Sequence, residues 1–194
     1  MLTSINPLGE RARNQSFGIT ATAYVVASTI AGALLGALLG AAGARFAHGP
    51  WIVAVIALAA LAGVLVDARG RVPGPHRQVN EDWLVTYRGW VYGAGYGGQL
   101  GLAFLTIVAG SVTWVAFACA FGAGSLAAGL FVGATFGLVR AIPVLTMART
   151  FSASALRARI ARLEGARPRV TRALSVVQLL VGAALVAFVV GSVA

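Results

Sequence analysis

Apolar residues run through this chain in long stretches, and polar residues gather in the short segments between them. A hydrocarbon core takes about twenty apolar residues per crossing, at roughly 1.5 Å of rise each. On that measure the pattern predicts five membrane helices, at residues 17–43, 51–66, 98–121, 125–147 and 173–193. The second is the shortest. The third lies within a stretch from 92 to 121, roughly 45 Å if all helical, which is too long for one upright crossing and too short for two. Gly93, Gly95, Gly97, Gly98 and Gly101 each weaken a helix by about 1 kcal/mol relative to alanine. An irregular or interfacial lead-in is therefore expected there, with the membrane helix starting near Gln99. Gly110 and Ser111 mark a second weak point midway along the apolar part.

Between the fourth and fifth spans, "SASALRARIARLEGARP" (152–168) reads as a cytoplasmic amphipathic helix. Ser152 or Ser154 can cap it, Leu156, Ile160 and Leu163 share one face, and Gly165 with Pro168 is expected to end it. Arg157, Arg159 and Arg162 would meet anionic headgroups while the apolar stripe lies in the interface. The start of the chain, "MLTSINPLGERARNQ", lacks the charge-then-apolar layout of a cleaved signal, so the first span is read as a retained helix.

Composition agrees with the membrane reading. The chain is 59% hydrophobic and 10% charged, with mean hydropathy +0.86, against roughly 25% charged for soluble domains. All fifteen basic residues are arginine. With five spans, thirteen of them fall on one side, Arg45 on the other, and Arg140 within a span. The positive-inside rule then places the N-terminus in the cytoplasm and the C-terminus outside an inner membrane. The net charge of +10 is thus a topology signal, and no nucleic-acid partner is expected; the lipid bilayer is the expected partner.

Few groups carry chemistry. Cys119 is the single cysteine, so a disulfide or dithiol relay within the chain is excluded. His48 and His76 fall in separate loops with no carboxylate cluster, and no serine, histidine and acid set converges. Neither a metal, a cofactor nor an enzymatic activity is expected. "GAGYGG" at 93–98 matches G-x-G-x-x-G, but no strand precedes it and no βαβ unit fits.

The remaining signals concern packing and polar groups at membrane depth. Gly32, Gly36 and Gly40 in the first span, and Gly129, Gly133 and Gly137 in the fourth, recur every four residues. Each set makes a smooth face of glycine-zipper type, where another backbone can approach closely, whether from this chain, a second copy or another membrane protein. "ASTIAG" (27–32) and "GATFGL" (133–138) are faintly alike in spans running in opposite directions, the layout of an inverted repeat. Arg140 lies some fifteen residues into the fourth span, three before Pro143. It can receive an anionic substrate or hold a gate by pairing with Asp67 or Glu81; its bland alternative is snorkelling to the headgroups. Pro143 should kink the span. Gln99, Thr106, Ser111, Thr113 and Gln178 can line a solute path or simply bond between helices.

Residues 88–194 carry a likeness to a known architecture: a Gly-rich lead-in, a helix interrupted at "TIVAGSVTW", a tight turn "FGAGS", a helix ending "LVRAIPVL", a basic loop and a final helix. This layout resembles the second half of the cytochrome c biogenesis (DsbD/CcdA) transmembrane family, which is similar to the LysE-like small membrane transporters. The resemblance implies two inverted three-helix repeats, here with a truncated first repeat. Electron-carrying members of that family place a Pro-Cys pair in each broken helix. Here Gly110 and Ser111 stand at the break, so the resemblance implies the scaffold without thiol redox chemistry.

The expected fold is therefore all-α, a single integral membrane domain over 1–194 with five transmembrane helices and a cytoplasmic amphipathic helix. The expected function is transport of a small solute or ion, with Arg140, Gln99, Ser111, Pro143 and Gly110 as substrate or gating residues. The alternative is a non-catalytic membrane subunit or assembly factor. In "NEDWLVTYRGWVYGAGYGGQLG" (80–101), Trp83, Tyr87, Trp90, Tyr92 and Tyr96 suit a headgroup layer. Glu81 and Asp82 would act as ionic latches with Arg88, Arg77 or a loop arginine, or cap a short interfacial helix, and Asp67 is a further latch candidate.

Overall fold

The computed structural model describes residues 4–47, 49, 51–70, 72–74, 82–105, 108 and 110–193. Among these the chain forms eight helices and no strand. They are α1 (Pro7–Ala12), α2 (Phe17–Phe46), α3 (Trp51–Ala68), α4 (Trp83–Thr86), α5 (Gly89–Leu102), α6 (Val112–Gly122), α7 (Leu126–Leu145) and α8 (Ala153–Val193). Four of them, α2, α3, α7 and α8, are long and apolar enough to cross a membrane. Large apolar side chains such as Leu38, Leu58, Phe131 and Phe188 are left uncovered by protein. A multi-pass membrane protein is the class consistent with these four helices.

Two expectations fail in instructive ways. The third span is not one helix beginning near Gln99. The glycine-rich segment is itself helical, as α5, and the break falls after it, where Ala103 takes φ 58° and α6 begins only at Val112. Glycine propensity is overridden by packing: Gly93, Gly97 and Gly101 share one face of α5, set against the backbone of Thr20, Tyr24 and Ser28 on α2. A Cβ at Gly93 would lie 2.6 Å from the Thr20 carbonyl oxygen, so close approach compensates for what the glycines lose in helix propensity. The amphipathic segment is likewise not separate from the last span. Both belong to the 41-residue α8, with Pro168 inside it. The carbonyl of Glu164 that Pro168 leaves without a helical donor is on an exposed residue, where water can serve it, and no Cβ contact crowds Gly165.

The chain divides into two compact units, residues 1–32, 76–107 and 134–167 in one, and 33–75, 108–133 and 168–194 in the other. The first has a core of Ile5, Ala21, Tyr24, Tyr92, Tyr96, Ala141 and Val144. Trp83 of α4 stacks on Tyr96 with ring centroids 5.9 Å apart and planes 11° from parallel. Of the aromatics expected at headgroups, Tyr92 and Tyr96 are therefore core residues, whereas Tyr87 and Trp90 are about half exposed, at 49% and 55%. In the same unit, Ser28 Oγ donates to the Gly137 carbonyl at 2.7 Å.

The second unit is organised by α3 against α6. Gly122 abuts Ile52 and Ile56, and Gly182 of α8 abuts Leu61. Here the two glycine series meet each other. A Cβ at Gly36 would fall 2.8 Å from Gly133 Cα, and one at Gly40 would fall 2.9 Å from Gly129 Cα. Small residues thus let α2 and the start of α7 pack backbone to backbone.

Candidate functional site

The site with the most chemistry lies where the end of α3 meets the start of α6. Asp67 is the next-to-last residue of α3, sixteen residues after Trp51 and so roughly 24 Å along the helix. It faces the first turn of α6. Ser111 occupies the N-cap position of α6, yet its own side chain does not cap the helix. Asp67 does so from another helix: Oδ1 accepts the Ser111 N–H at 2.9 Å and Oδ2 accepts the Ser111 hydroxyl at 2.7 Å. Because that hydroxyl has one proton and gives it to Asp67, its oxygen is free to accept, and Gln178 Nε2 of α8 donates to it at 3.0 Å.

Three helices therefore converge on one hydroxyl, that of Ser111. Ser111 and Gln178 are buried, at 2% and 4% exposure, and Asp67 is half-buried. The exposed N–H groups at the start of a helix carry partial positive charge, so a carboxylate there is electrostatically favoured. Gly63, one turn before Asp67, leaves the space the cluster needs. A Cβ there would come 2.7 Å from Ser111 Oγ and 3.1 Å from Gln178 Nε2. Gly110 lies beside Asp67 without crowding it, and Trp114 Nε1 donates to the Pro73 carbonyl at 2.9 Å, fastening α6 to the segment that follows α3.

A second polar cluster, in the other unit, is absent from the sequence reading. Glu10 of α1 is fully buried. Its Oε1 accepts from Arg13 Nη2 at 2.7 Å and from the Tyr92 hydroxyl at 2.7 Å, and its Oε2 accepts from Thr20 Oγ1 at 2.8 Å and stands 2.6 Å from the same Tyr92 hydroxyl. The Tyr92 proton is thus divided between two oxygens. Arg13 also donates to the Ser4 carbonyl at 2.8 Å and lies over the Tyr92 ring. Burial pulls the Arg13 pKa down, but the hydrogen bonds to Glu10 and Tyr92 outweigh it, leaving the guanidinium above the ordinary arginine range. Gln15 Oε1 accepts the Gly89 N–H at 3.0 Å, which caps α5. Signals for this cluster exist in "INPLGERAR": Asn6 caps α1, Pro7 opens it, and Glu10 with Arg13 forms an i, i+3 pair.

Other candidate residues are dispersed. Arg140 of α7 is half-buried, its guanidinium 5.3 Å from the Phe136 ring centroid and within electrostatic reach of Tyr24. Pro143 lies within α7, which continues two residues beyond it, and Gln99 is half-buried on α5. Asp82 stands at the N-cap of α4 and its side chain does not cap that helix; Arg88 precedes α5 as an exposed residue. Gly32 lies against Gly101, and Gly137 against Ser28. Glu81, Thr106, His48, His76 and Arg77 lie outside the described residues.

No protein-family model matches this chain, and no curated protein or solved structure matches it.

Proposed function

We propose that this protein is a small-solute or ion transporter of the inner membrane, with LysE/CcdA-like architecture and no thiol redox chemistry. In this reading α5 and α6 together make the third of five crossings. The thirteen arginines on one side then put the N-terminus in the cytoplasm and the C-terminus outside. One observation carries the proposal: the interrupted span presents the N-terminus of α6, and a carboxylate from α3 occupies it. Transporters commonly use helices broken near the bilayer midplane, whose half-helix ends bind ions or polar substrate groups. When Asp67 pairs with a cation, its hold on the Ser111 N–H weakens, and α6 is released to shift against α3. The charge state of Asp67 is thereby coupled to the geometry of the break.

Purified protein in liposomes, with a pH dye inside and a potassium diffusion potential imposed, tests this. Wild-type vesicles should move protons, or take up one of a panel of cations, anions and amino acids, faster than protein-free vesicles. Asp67→Asn should abolish that flux with the fold retained. No flux above protein-free vesicles across the panel would end the transport reading.

A second reading, a non-catalytic subunit of a larger membrane complex, is supported by α8. Its most apolar 18-residue window is only 11% buried, and Leu174, Val177, Leu180 and Phe188 are exposed along it. Extraction in a gentle detergent decides this reading: a stable hetero-complex supports it, whereas a monomer or homo-oligomer opposes it.

A further inference from the structure

We infer that Arg140 is the anchor of a binding site for a single oxyanion of the phosphate type, whether a lipid headgroup or a free anion. The inference goes beyond the transport reading and does not depend on it, since a subunit that never moved solute would carry the same site.

Nη1 of Arg140 is shielded from solvent and has no hydrogen-bond partner among the described residues. A guanidinium N–H left so is among the costliest of unmet donors, and such a group in a folded protein calls for a missing ion or water. The described neighbours of Arg140 supply it no acceptor. Phe136, one turn back on α7, has the guanidinium over its ring, 5.3 Å from the centroid, a cation–π contact that supplies no hydrogen-bond acceptor to the N–H groups. Glu10, the buried acid of the same unit, is held by Arg13, Tyr92 and Thr20. Next on the helix are Val139 and Ala141, and Leu138 and Ile142 face away uncovered.

A guanidinium has parallel N–H bonds directed in its own plane, the geometry that matches two oxygens of one phosphate, sulfate or carboxylate group. Tyr24 of the same unit is buried, at 4% exposure, and lies within electrostatic reach of Arg140. Arg140 also lies five residues before the end of α7, with Arg149 following in the next segment. A headgroup phosphate or a soluble anion approaching from the cytoplasmic side in the five-span reading would therefore meet it. The arginine itself is no evidence of choice, because the chain contains no lysine; the unmet donor, shielded beside the Phe136 ring, carries the inference.

Calorimetric titration of inorganic phosphate and sulfate into the full chain, purified in a neutral, phosphate-free detergent, tests the site directly. Native mass spectrometry with phosphatidylglycerol, against phosphatidylcholine, gives the lipid arm. Wild type should bind at least one probe saturably. Arg140→Gln should weaken that binding by about thirtyfold or more, the loss expected when one side of a desolvated charge pair is removed. Arg157→Gln and Arg162→Gln together, on exposed positions of α8, should leave it unchanged. Saturable phosphate binding in the absence of lipid identifies a free-anion site, and retention of phosphatidylglycerol alone identifies a headgroup site. If Arg140→Gln does not fold, Arg140→Lys decides: it keeps the charge and loses the fork, so binding equal to wild type would overturn the inference. Absence of saturable binding in wild type, or equal binding in wild type and Arg140→Gln, would overturn it as well. Loss of flux with binding intact would count against the transport reading alone.

Discussion

Glu10 and Asp67 are two carboxylates placed in opposite ways. Glu10 is sealed, with donors from Arg13, Thr20 and Tyr92 covering both oxygens. Asp67 is half-buried and accepts from one residue, Ser111, through a backbone N–H and a hydroxyl. The first arrangement includes a full counter-charge and resists change. In the second, a helix end stands in for the counter-charge, and a helix end supplies only about half a unit. Glu10 thus behaves as a fastening, holding α1 to α2 and α5, whereas Asp67 can be discharged without leaving a buried cation behind.

The contrast can be broken at either end, and the expected effects fall in order. Glu10→Ala strands Arg13 and should cost about 3–5 kcal/mol, the range for removing one partner of a buried pair. Its readout is denaturant unfolding in detergent, and a loss under about 1 kcal/mol would show that water replaces the carboxylate. Tyr92→Phe removes one charge-assisted bond and should cost about 1.5–3 kcal/mol while preserving the ring stack with Tyr96. Asp67→Ala should cost only about 1–2 kcal/mol, as for loss of a helix cap, with the earliest change seen as faster amide exchange at Ser111 and the first turn of α6. Gly63→Ala is the mildest. Improved helix propensity offsets about 1 kcal/mol of the crowding against Ser111 and Gln178, so stability should stay within about 1 kcal/mol of wild type, while exchange at Ser111 still rises. If instead Asp67→Ala proves as damaging as Glu10→Ala, the two carboxylates serve the same purpose and the gating role fails.

Much of the fold was legible because membrane helices announce themselves by length and apolarity. The bounds of α2, α3 and α7 differ from the expected spans by only a few residues. The third span was misjudged because glycines were weighed by propensity alone. Gly89, Gly93, Gly97 and Gly101 recur every four residues, the same spacing that marks Gly32, Gly36 and Gly40, and read that way they predict a packed helix. At Pro168 a local stop signal is overridden by good helix formers on both sides. Asp67, Ser111 and Gln178 were each visible as polar residues near apolar runs, but their meeting depends on tertiary contacts 44 and 67 residues apart. Periodicity cannot reveal such contacts. Glu10 was legible in its capping context and missed because a short polar N-terminal segment looks like a mere leader to the first span.

The reach of Asp67 to Ser111 also has a meaning in time. The partner of this carboxylate is encoded 44 residues later, and at translation speeds of about 5–20 residues per second it emerges about 2–9 s after Asp67. Gln178, 67 residues beyond Ser111, follows about 3–13 s later still. During that interval the Asp67 carboxylate lacks the donors that Ser111 supplies in the folded chain. Seating of α3 is then completed only when α6 arrives, which makes the order of synthesis part of how this site is assembled.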